Sequence, residues 1–396
     1  MLPASKSISN RLLILNALAE TPGRLANLSD SNDTRVLARA LERQGGTIDI
    51  GHAGTAMRFL TAYLSIREGD FVLTGSERMQ QRPIGKLVEA LTGMGAEIRY
   101  LGNPGYPPLS IRGGRLSGGE VSVDSSISSQ FISALMMIGP ALERGLLLHL
   151  ENEPASVSYL HLTRNLMTEL GIPVRFEGRT IEVPPVRFRG KDMRIEGDWS
   201  AAGYWYAMAA LEGGGIRFEI GGLERNSYQG DSVLPELFEP LGVETAFAKD
   251  GILLSARDRK PDEFVFNFSN NPDLVQTLVV VCGLLGLPFR MRGTRTLKIK
   301  ETDRVLALQA EMKKLGIVLN AGQEGESISW DGRKRVEPAL PIQIRTYQDH
   351  RMAMAFAPAV LRFPGLIIED PGVVNKSYPG FWEDLRRTGF SLEELD

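Results

Sequence analysis

The chain has 396 residues, 43% of them hydrophobic and 23% charged, with a formal net charge of −3 and a single cysteine. This is ordinary globular material, long enough for two or three domains. Its mild acidity argues against a nucleic-acid or anionic-membrane partner, and one thiol excludes an internal disulfide. No run of about 18 apolar residues marks a membrane span, no signal-type leader precedes the first helix, and no CxxC, HExxH or His/Cys spacing suggests a metal site. A soluble, cytoplasmic protein with no metal is expected.

In chain order, six helices of small and apolar residues each open on polar or charged ones. The openings are Ser5-Lys6-Ser7, His52-Ala53-Gly54-Thr55, Ser128-Ser129-Gln130, Asp198-Trp199-Ser200, Asn271-Pro272-Asp273 and Gln348-Asp349-His350-Arg351. After a short first unit they recur every 70 to 77 residues, roughly, which is the mark of one supersecondary unit copied along the chain. The apolar bodies must be buried, whereas the polar starts need partners, so the chemistry is expected at those starts.

A second, amphipathic helix follows each of these and stops at a glycine. The clear cases run Leu87 to Gly95, Leu160 to Gly171, Val233 to Gly242 and Val305 to Gly316, each leading into a short strand: Ala96-Glu97-Ile98, Val174-Arg175-Phe176, Val243-Glu244-Thr245 and Ile317-Val318-Leu319. Weaker copies are Val36 to Gly45 and Phe381 to Gly389. In the first, Leu87, Val88, Leu91 and Met94 share a face. Six repeats divide into two groups of three, with a boundary near Arg194 after the run Pro184-Pro185-Val186-Arg187. Cys282, inside Val279-Val280-Val281, reads as a small core residue.

A helix N-terminus carries partial positive charge and unpaired N–H groups. Cations there cost energy, yet Lys6, Arg11, Arg58, Arg82 (before Pro83), Lys300, Arg304, Arg351 and Lys376 all lie near expected helix starts. An anion bound where several starts converge would reverse the sign of that cost, and arginine offers planar, bidentate recognition of carboxylate and phosphate. The ligand expected is a small molecule, or a pair, with several negative charges. Among the acids, Asp273 is either an N-cap or a base, and Glu301 either an ion-pair partner or an acid. Ser128, Ser129 and Gln130 are either caps or donors to a ligand.

Six segments in order carry a resemblance: Lys6-Ser7-Ile8-Ser9-Asn10-Arg11, Gly54-Thr55-Ala56-Met57-Arg58, Arg82-Pro83-Ile84-Gly85, Ser128-Ser129-Gln130-Phe131, Lys300-Glu301-Thr302-Asp303-Arg304 and Asp349-His350-Arg351-Met352-Ala353. Together they span essentially the whole chain, which resembles the 5-enolpyruvylshikimate-3-phosphate synthases of the enolpyruvyl transferase family. The resemblance implies an α/β fold: a two-lobed inside-out α/β barrel of six βαβαββ repeats, three per lobe, with residues 7–194 in one lobe and 1–6 plus 195–396 in the other. It also implies transfer of the enolpyruvyl group of phosphoenolpyruvate to the 5-hydroxyl of shikimate 3-phosphate, with release of phosphate, on the way to chorismate and the aromatic amino acids. No cofactor, nucleic acid or membrane is implied, and a monomer is expected.

By the same resemblance, shikimate 3-phosphate would contact Lys6, Ser7, Arg11, Ser128, Ser129, Gln130, Ser156, Asp273 and Lys300. Phosphoenolpyruvate would contact Lys6, Gly54, Arg82, Gln130, Arg304, Arg351 and Lys376, with Tyr159 and Arg58 in support. Asp273 would be the base, and Glu301, aided by Lys6, would protonate the methylene carbon. The chain departs from the family pattern in its short start, Met1-Leu2-Pro3-Ala4, in His52 where asparagine is common, and in Phe59 where proline is common. Alternatives are a UDP-N-acetylglucosamine enolpyruvyl transferase, which usually carries a reactive loop cysteine that this chain lacks, and a non-catalytic anion-binding protein on the same scaffold.

Overall fold

The computed structural model describes every residue except Ser126, Ile127, Ala155, Ala339 and Asp396. The chain forms two compact units. One comprises Ser5–Ile195 with Tyr228–Gly230; the other comprises Met1–Ala4, Glu196–Ser227 and Asp231–Asp396. Ser5 and Lys6 therefore go with the helix they open rather than with the residues before them. Ser5 caps that helix and donates to Gln229 Oε1 at 2.9 Å, which also ties Tyr228–Gly230 to the same unit.

The first unit runs α1 (Lys6–Leu18), β1 (Leu25–Ala26), α2 (Asn32–Leu41), β2 (Gly46–Asp49), α3 (Gly54–Ile66), β3 (Gly69–Thr74), α4 (Gly85–Gly93), β4 (Glu97–Tyr100) and β5 (Leu109–Gly113). It continues through β6 (Gly119–Val123), α5 (Ser129–Ile138), β7 (Leu146–Leu150), α6 (Val157–Glu169), β8 (Arg175–Glu177), β9 (Thr180–Val183) and β10 (Met193–Arg194). Two repeats are complete, with sheet orders β2-β3-β5-β4 and β6-β7-β9-β8. In each, the first two strands are parallel, as a helical crossover requires, and the last two return as an antiparallel hairpin. The third repeat is split by the chain order. Its strand β10 pairs in parallel with β1, Leu25 opposite Met193, although its helices α1 and α2 come first in sequence.

In this unit α3 and α5 are buried almost all round, and α1, α3 and α5 pack on one another. A helix without a solvent face must lie inside. Its few polar groups are satisfied locally: Thr61 and Ser65 each donate to the carbonyl one turn back, at 2.7 Å. The second helices flank this core, so Leu87 and Leu91 of α4 point inward while Lys86 and Glu89 pair in solvent. The strands alternate, one face packed and one exposed.

The second unit begins with Leu2, whose N–H donates to Gly221 O at 3.2 Å, and with an Ala4–Gly197 bridge. It continues α7 (Trp199–Glu212), β11 (Arg217–Gly221), α8 (Leu234–Phe238), β12 (Val243–Ala248), β13 (Gly251–Ala256), β14 (Phe264–Asn267), α9 (Val275–Leu284), β15 (Phe289–Arg292), α10 (Arg304–Lys314), β16 (Asn320–Ala321), β17 (Ser327–Trp330), β18 (Gln343–Ile344), α11 (His350–Phe356), β19 (Ile367–Ile368) and α12 (Phe381–Arg387). Its sheets are β11-β13-β12, β14-β15-β17-β16 and β18-β19. Among the described residues the repeat is thus an α/β unit throughout, with all four strands present in three of its six copies. Here α7, α9 and α11 are the buried helices, and Cys282 is fully buried in α9, where burial pushes its thiol up.

The glycine stops hold: Gly171 and Gly316 adopt φ of +81° and +85°, which a side chain would strain. Three local expectations shift. The strand after Gly316 is Asn320–Ala321 rather than Ile317–Leu319, because Ile317 N–H still closes the helix on Met312 O. The helix after Pro83 starts at Gly85, leaving Arg82 just after the 3₁₀ turn Met79–Gln81. Lys376 ends the 3₁₀ turn Pro371–Lys376 and so does not open a helix. Among the described residues no helix is long and apolar enough to cross a membrane.

Candidate active site

Each unit gathers its own candidates. In the first, Lys6 is the first residue of α1 and pairs with Asp33 of α2 at 3.4 Å; Ser7 follows it, half-buried. Arg11, one turn on, is buried among three helices. Its Nε donates to Thr163 Oγ1 at 2.7 Å and its Nη2 to Ser133 Oγ at 3.2 Å, while Nη1 donates to Ser7 O at 3.0 Å. The guanidinium also lies over the rings of Phe59 and Tyr159, 5.4 and 5.7 Å from their centroids. Burial pushes its pKa down to about 10. Most of Arg11's donors are thus spent inside the protein, and it organises α1, α5 and α6 as much as it offers charge.

Ser128 is the N-cap of α5, accepting from Gln130 N at 3.3 Å. The capping reading holds for it, because a hydroxyl there satisfies an otherwise orphaned donor. Ser129 is buried, and Gln130 reaches α3 through a 3.2 Å bond from Nε2 to Thr55 Oγ1. Ser156 precedes α6 in the left-handed region, φ +57°, and its side chain makes no cap bond. Gly54 begins α3 under Arg82: a Cβ there would lie 2.5 Å from Arg82 Nη1. Arg58 holds the arrangement, donating to Gly54 O at 3.3 Å and to Pro83 O at 3.0 Å. His52 Nδ1 lies 3.0 Å from Ser76 Oγ.

In the second unit five of the candidates form one network. Arg304, the first residue of α10, is 1% exposed. Its Nε and Nη2 grip Asp349 at 2.7 and 3.2 Å, Nη2 also reaches Glu301 at 3.0 Å, and Nη1 reaches Asp273 at 3.1 Å. Arg351 Nη2 binds the other Asp273 oxygen at 2.8 Å, and Lys376 Nζ binds Glu301 Oε1 at 2.9 Å. Burial opposes the charge of Arg304, but Asp349, Glu301 and Asp273 outweigh it and push its pKa up. Lys300 ends the 3₁₀ turn just before Glu301 and is half-buried.

The cations expected to stand alone at helix starts are therefore charge-matched here. Arg304, Arg351 and Lys376 face Asp273, Glu301 and Asp349, and these six charges cancel. Asp273 lies inside the 3₁₀ turn Pro272–Leu274, and its two oxygens accept from Arg304 and Arg351. Asp349 does cap α11, accepting from Arg351 N at 3.0 Å.

Sequence reasoning missed the partners. Asp33 looks like an ordinary acid in a first helical turn. Asp231 is buried beside the network, accepting from Ser200 Oγ and, at 3.4 Å, from Asn271 Nδ2. Burial first, then the charge of Asp273, pushes its pKa up to about 6. Tyr204 accepts from Arg351 Nη1 at 3.4 Å, and burial raises its phenol to about 12. The Gly230-Asp231 pair, just before α8, was the available signal for Asp231; nothing in the local sequence marks Tyr204. Among the described residues no group of three His, Cys, Asp or Glu side chains is arranged to hold a metal.

The sequence profile described as EPSP synthase (3-phosphoshikimate 1-carboxyvinyltransferase) matches residues 40–385. A protein of Bacteroides fragilis (strain YCH46) named 3-phosphoshikimate 1-carboxyvinyltransferase is 50% identical over 393 residues, which cover 99% of this chain and 95% of that protein. One of Methanoculleus marisnigri with the same name is 37% identical over 414 residues, covering 98% and 96%. Among solved structures, an EPSP synthase from Acinetobacter baumannii matches with a TM-score of 0.76 at 22% identity, covering 99% of this chain and 96% of that one. The enolpyruvyl transferase NikO from Streptomyces tendae matches at 0.72 and 17% identity, covering 98% and 94%. At such identities the two structures speak to the fold alone.

Proposed function

This chain belongs to the EPSP synthase family, and from that premise we propose that it transfers the enolpyruvyl group of phosphoenolpyruvate to the 5-hydroxyl of shikimate 3-phosphate, releasing inorganic phosphate. It is a transferase, and its place is in aromatic amino acid biosynthesis. The observation that carries the residue-level reading is the Arg304 network: two carboxylates, Asp273 and Glu301, each held by two cations.

Shikimate 3-phosphate would be held by Lys6, Ser7, Arg11, Ser128, Ser129, Gln130, Ser156, Asp273 and Lys300. Phosphoenolpyruvate would be held by Lys6, Gly54, Arg82, Gln130, Arg304, Arg351 and Lys376. The anion competes with Asp273 and Glu301 for the same arginines and lysine. A carboxylate that loses a cationic neighbour becomes a stronger base, so substrate binding itself readies the two acids. In this charge-matched arrangement Asp273 and Glu301 occupy the cations that a substrate's anionic groups would take.

Chemistry then runs as addition and elimination. Asp273 takes the 5-hydroxyl proton as that oxygen bonds to the substituted carbon of phosphoenolpyruvate. Glu301, with Lys6, delivers a proton to the methylene carbon, giving a tetrahedral intermediate. Phosphate leaves with the bonding pair of its C–O bond and takes the proton held by Asp273. The methyl group returns a proton to Glu301, and the enol ether forms. Cations fix geometry and charge, so positioning and electrostatics supply most of the acceleration.

A monomer is our reading of its assembly, and small phosphorylated metabolites suit a cytoplasmic enzyme. The test is phosphate release from phosphoenolpyruvate with and without shikimate 3-phosphate. Release that depends on shikimate 3-phosphate is expected; release that depends instead on UDP-N-acetylglucosamine, or none at all, would overturn the reading.

A further inference from the structure

We propose that Glu311 and Tyr347 are positioning residues for this reaction, clamping the turn Thr346–Gln348 so that Asp349 and Arg351 meet Arg304 and Asp273 in one fixed arrangement. The inference rests on the assignment of Arg304 and Arg351 to phosphoenolpyruvate made above.

Tyr347 and Gln348 are consecutive non-glycine residues in the left-handed region, with φ of 55° and 57°. Side chains disfavour that region, and such residues persist only where surroundings over-determine them. The surroundings here are specific. Glu311 on α10 is fully buried, and it accepts from Tyr347 OH at 2.7 Å, from Arg345 N at 3.0 Å and from Lys314 Nζ at 2.6 Å. The Arg345 guanidinium lies over the Tyr347 ring, 5.1 Å from its centroid. Just beyond, Asp349 N donates to Thr346 O at 2.9 Å, and Asp349 then caps α11.

Arg304 and Glu311 sit two turns apart on α10, so they project along one side of it. The helix therefore holds this segment twice: Glu311 grips its entry, and Arg304 grips Asp349 at its exit with two bonds. The strained pair between them sets the angle at which α11 starts, and hence where Arg351 stands relative to Asp273. None of Glu311, Tyr347 or Gln348 is among the residues assigned to substrate.

The test uses the full chain with Tyr347→Phe, Gln348→Gly and Glu311→Gln. Tyr347→Phe keeps the ring and deletes one charge-assisted bond. Amide hydrogen exchange at Asp349 and Arg351 is expected to quicken about tenfold, with exchange across Val279–Cys282 of α9 unchanged and kcat about tenfold lower. Gln348→Gly accepts the left-handed backbone without strain, so its melting temperature should hold or rise while kcat falls, a combination that a merely structural role does not give. Glu311→Gln still accepts from Arg345 N and can bond the Tyr347 hydroxyl, and should retain more activity than Glu311→Ala. Unchanged exchange at Asp349 and Arg351 in Tyr347→Phe, or wild-type kcat despite quickened exchange, overturns the inference. If the wild-type chain itself shows no turnover with both substrates, it is the functional reading that fails, and the exchange comparison alone decides the clamp.

Discussion

Arg304 and Asp349, 45 positions apart in sequence, form a two-bond grip at 2.7 and 3.2 Å in which the arginine is 1% exposed and the aspartate side chain 0%. The same guanidinium holds Asp273 and Glu301. Removing one partner of a buried pair leaves the other charge uncompensated, at about 3–5 kcal/mol. Arg304→Ala leaves Arg351 on Asp273 and Lys376 on Glu301 but takes the guanidinium from buried Asp349, so three carboxylates face two of the three cations. The unfolding free energy read from urea titration should fall by an amount in that range, and turnover should vanish. Arg304→Lys keeps the charge but cannot bridge three acids from one plane, so it should lie between the two. A wild-type midpoint for Arg304→Ala would show the network to be energetically idle.

Asp273 differs from Arg304 in what its loss leaves behind. In Asp273→Asn, Arg304 keeps Asp349 and Glu301, and Arg351 keeps its contact with Tyr204. The fold should survive with a small change in melting temperature. Loss of a general base typically costs 10²- to 10⁴-fold in rate, roughly, so kcat should fall by that much while both substrates still bind. Turnover within a fewfold of wild type would remove Asp273 as the base.

At Gly54 the start of α3 runs close under the Arg82 guanidinium. An added Cβ would stand 2.5 Å from Arg82 Nη1 and 3.0 Å from its Cζ, so Gly54→Ala must push Arg82 aside. Arg82 is assigned to phosphoenolpyruvate, whereas Arg11 and Ser156, assigned to shikimate 3-phosphate, are untouched. The expected result is a KM for phosphoenolpyruvate raised about tenfold or more, from one displaced charge-assisted contact, with the KM for shikimate 3-phosphate and the melting temperature nearly unchanged. Equal effects on both KM values would argue against this division of labour.

What the sequence reveals follows from local rules. Ser128 at the start of a largely apolar helix, and Gly316 at the end of an amphipathic one, each report a nearby hydrogen-bonding need. That is why the six helix openings and most helix stops are legible. Charge pairing is not local. Lys6 finds Asp33, Arg304 finds Asp349, and Arg11 spends its donors on Ser133 and Thr163, partners 27 to 152 positions away. Nothing at those positions announces them, so cations that are charge-matched in the fold look uncompensated in the sequence. The split repeat is hidden for the same reason: β10 pairs with a strand 168 positions earlier, where two-residue strands leave almost no periodic signal.

Asp231 gives the pH dependence a sign. Its carboxyl is raised from an ordinary 3.8 to about 6, by burial first and then by the charge of Asp273. Below about 4 both folded and unfolded chains hold the proton, and the contribution of Asp231 to stability is fully present. Between about 4 and 6 the unfolded chain releases a proton that the folded chain keeps, so stability falls as pH rises. Above about 6 the group is ionised in both states and the loss is complete. Asp231→Asn cannot titrate and can still accept from Ser200 Oγ. Melting temperatures of the two proteins should therefore be closest near pH 4, and the variant should gain on the wild type up to pH 6, with a constant difference beyond. Parallel curves across that window would mean that the buried carboxyl keeps an ordinary affinity for its proton, and that Ser200 and Asn271 solvate it as well as water does.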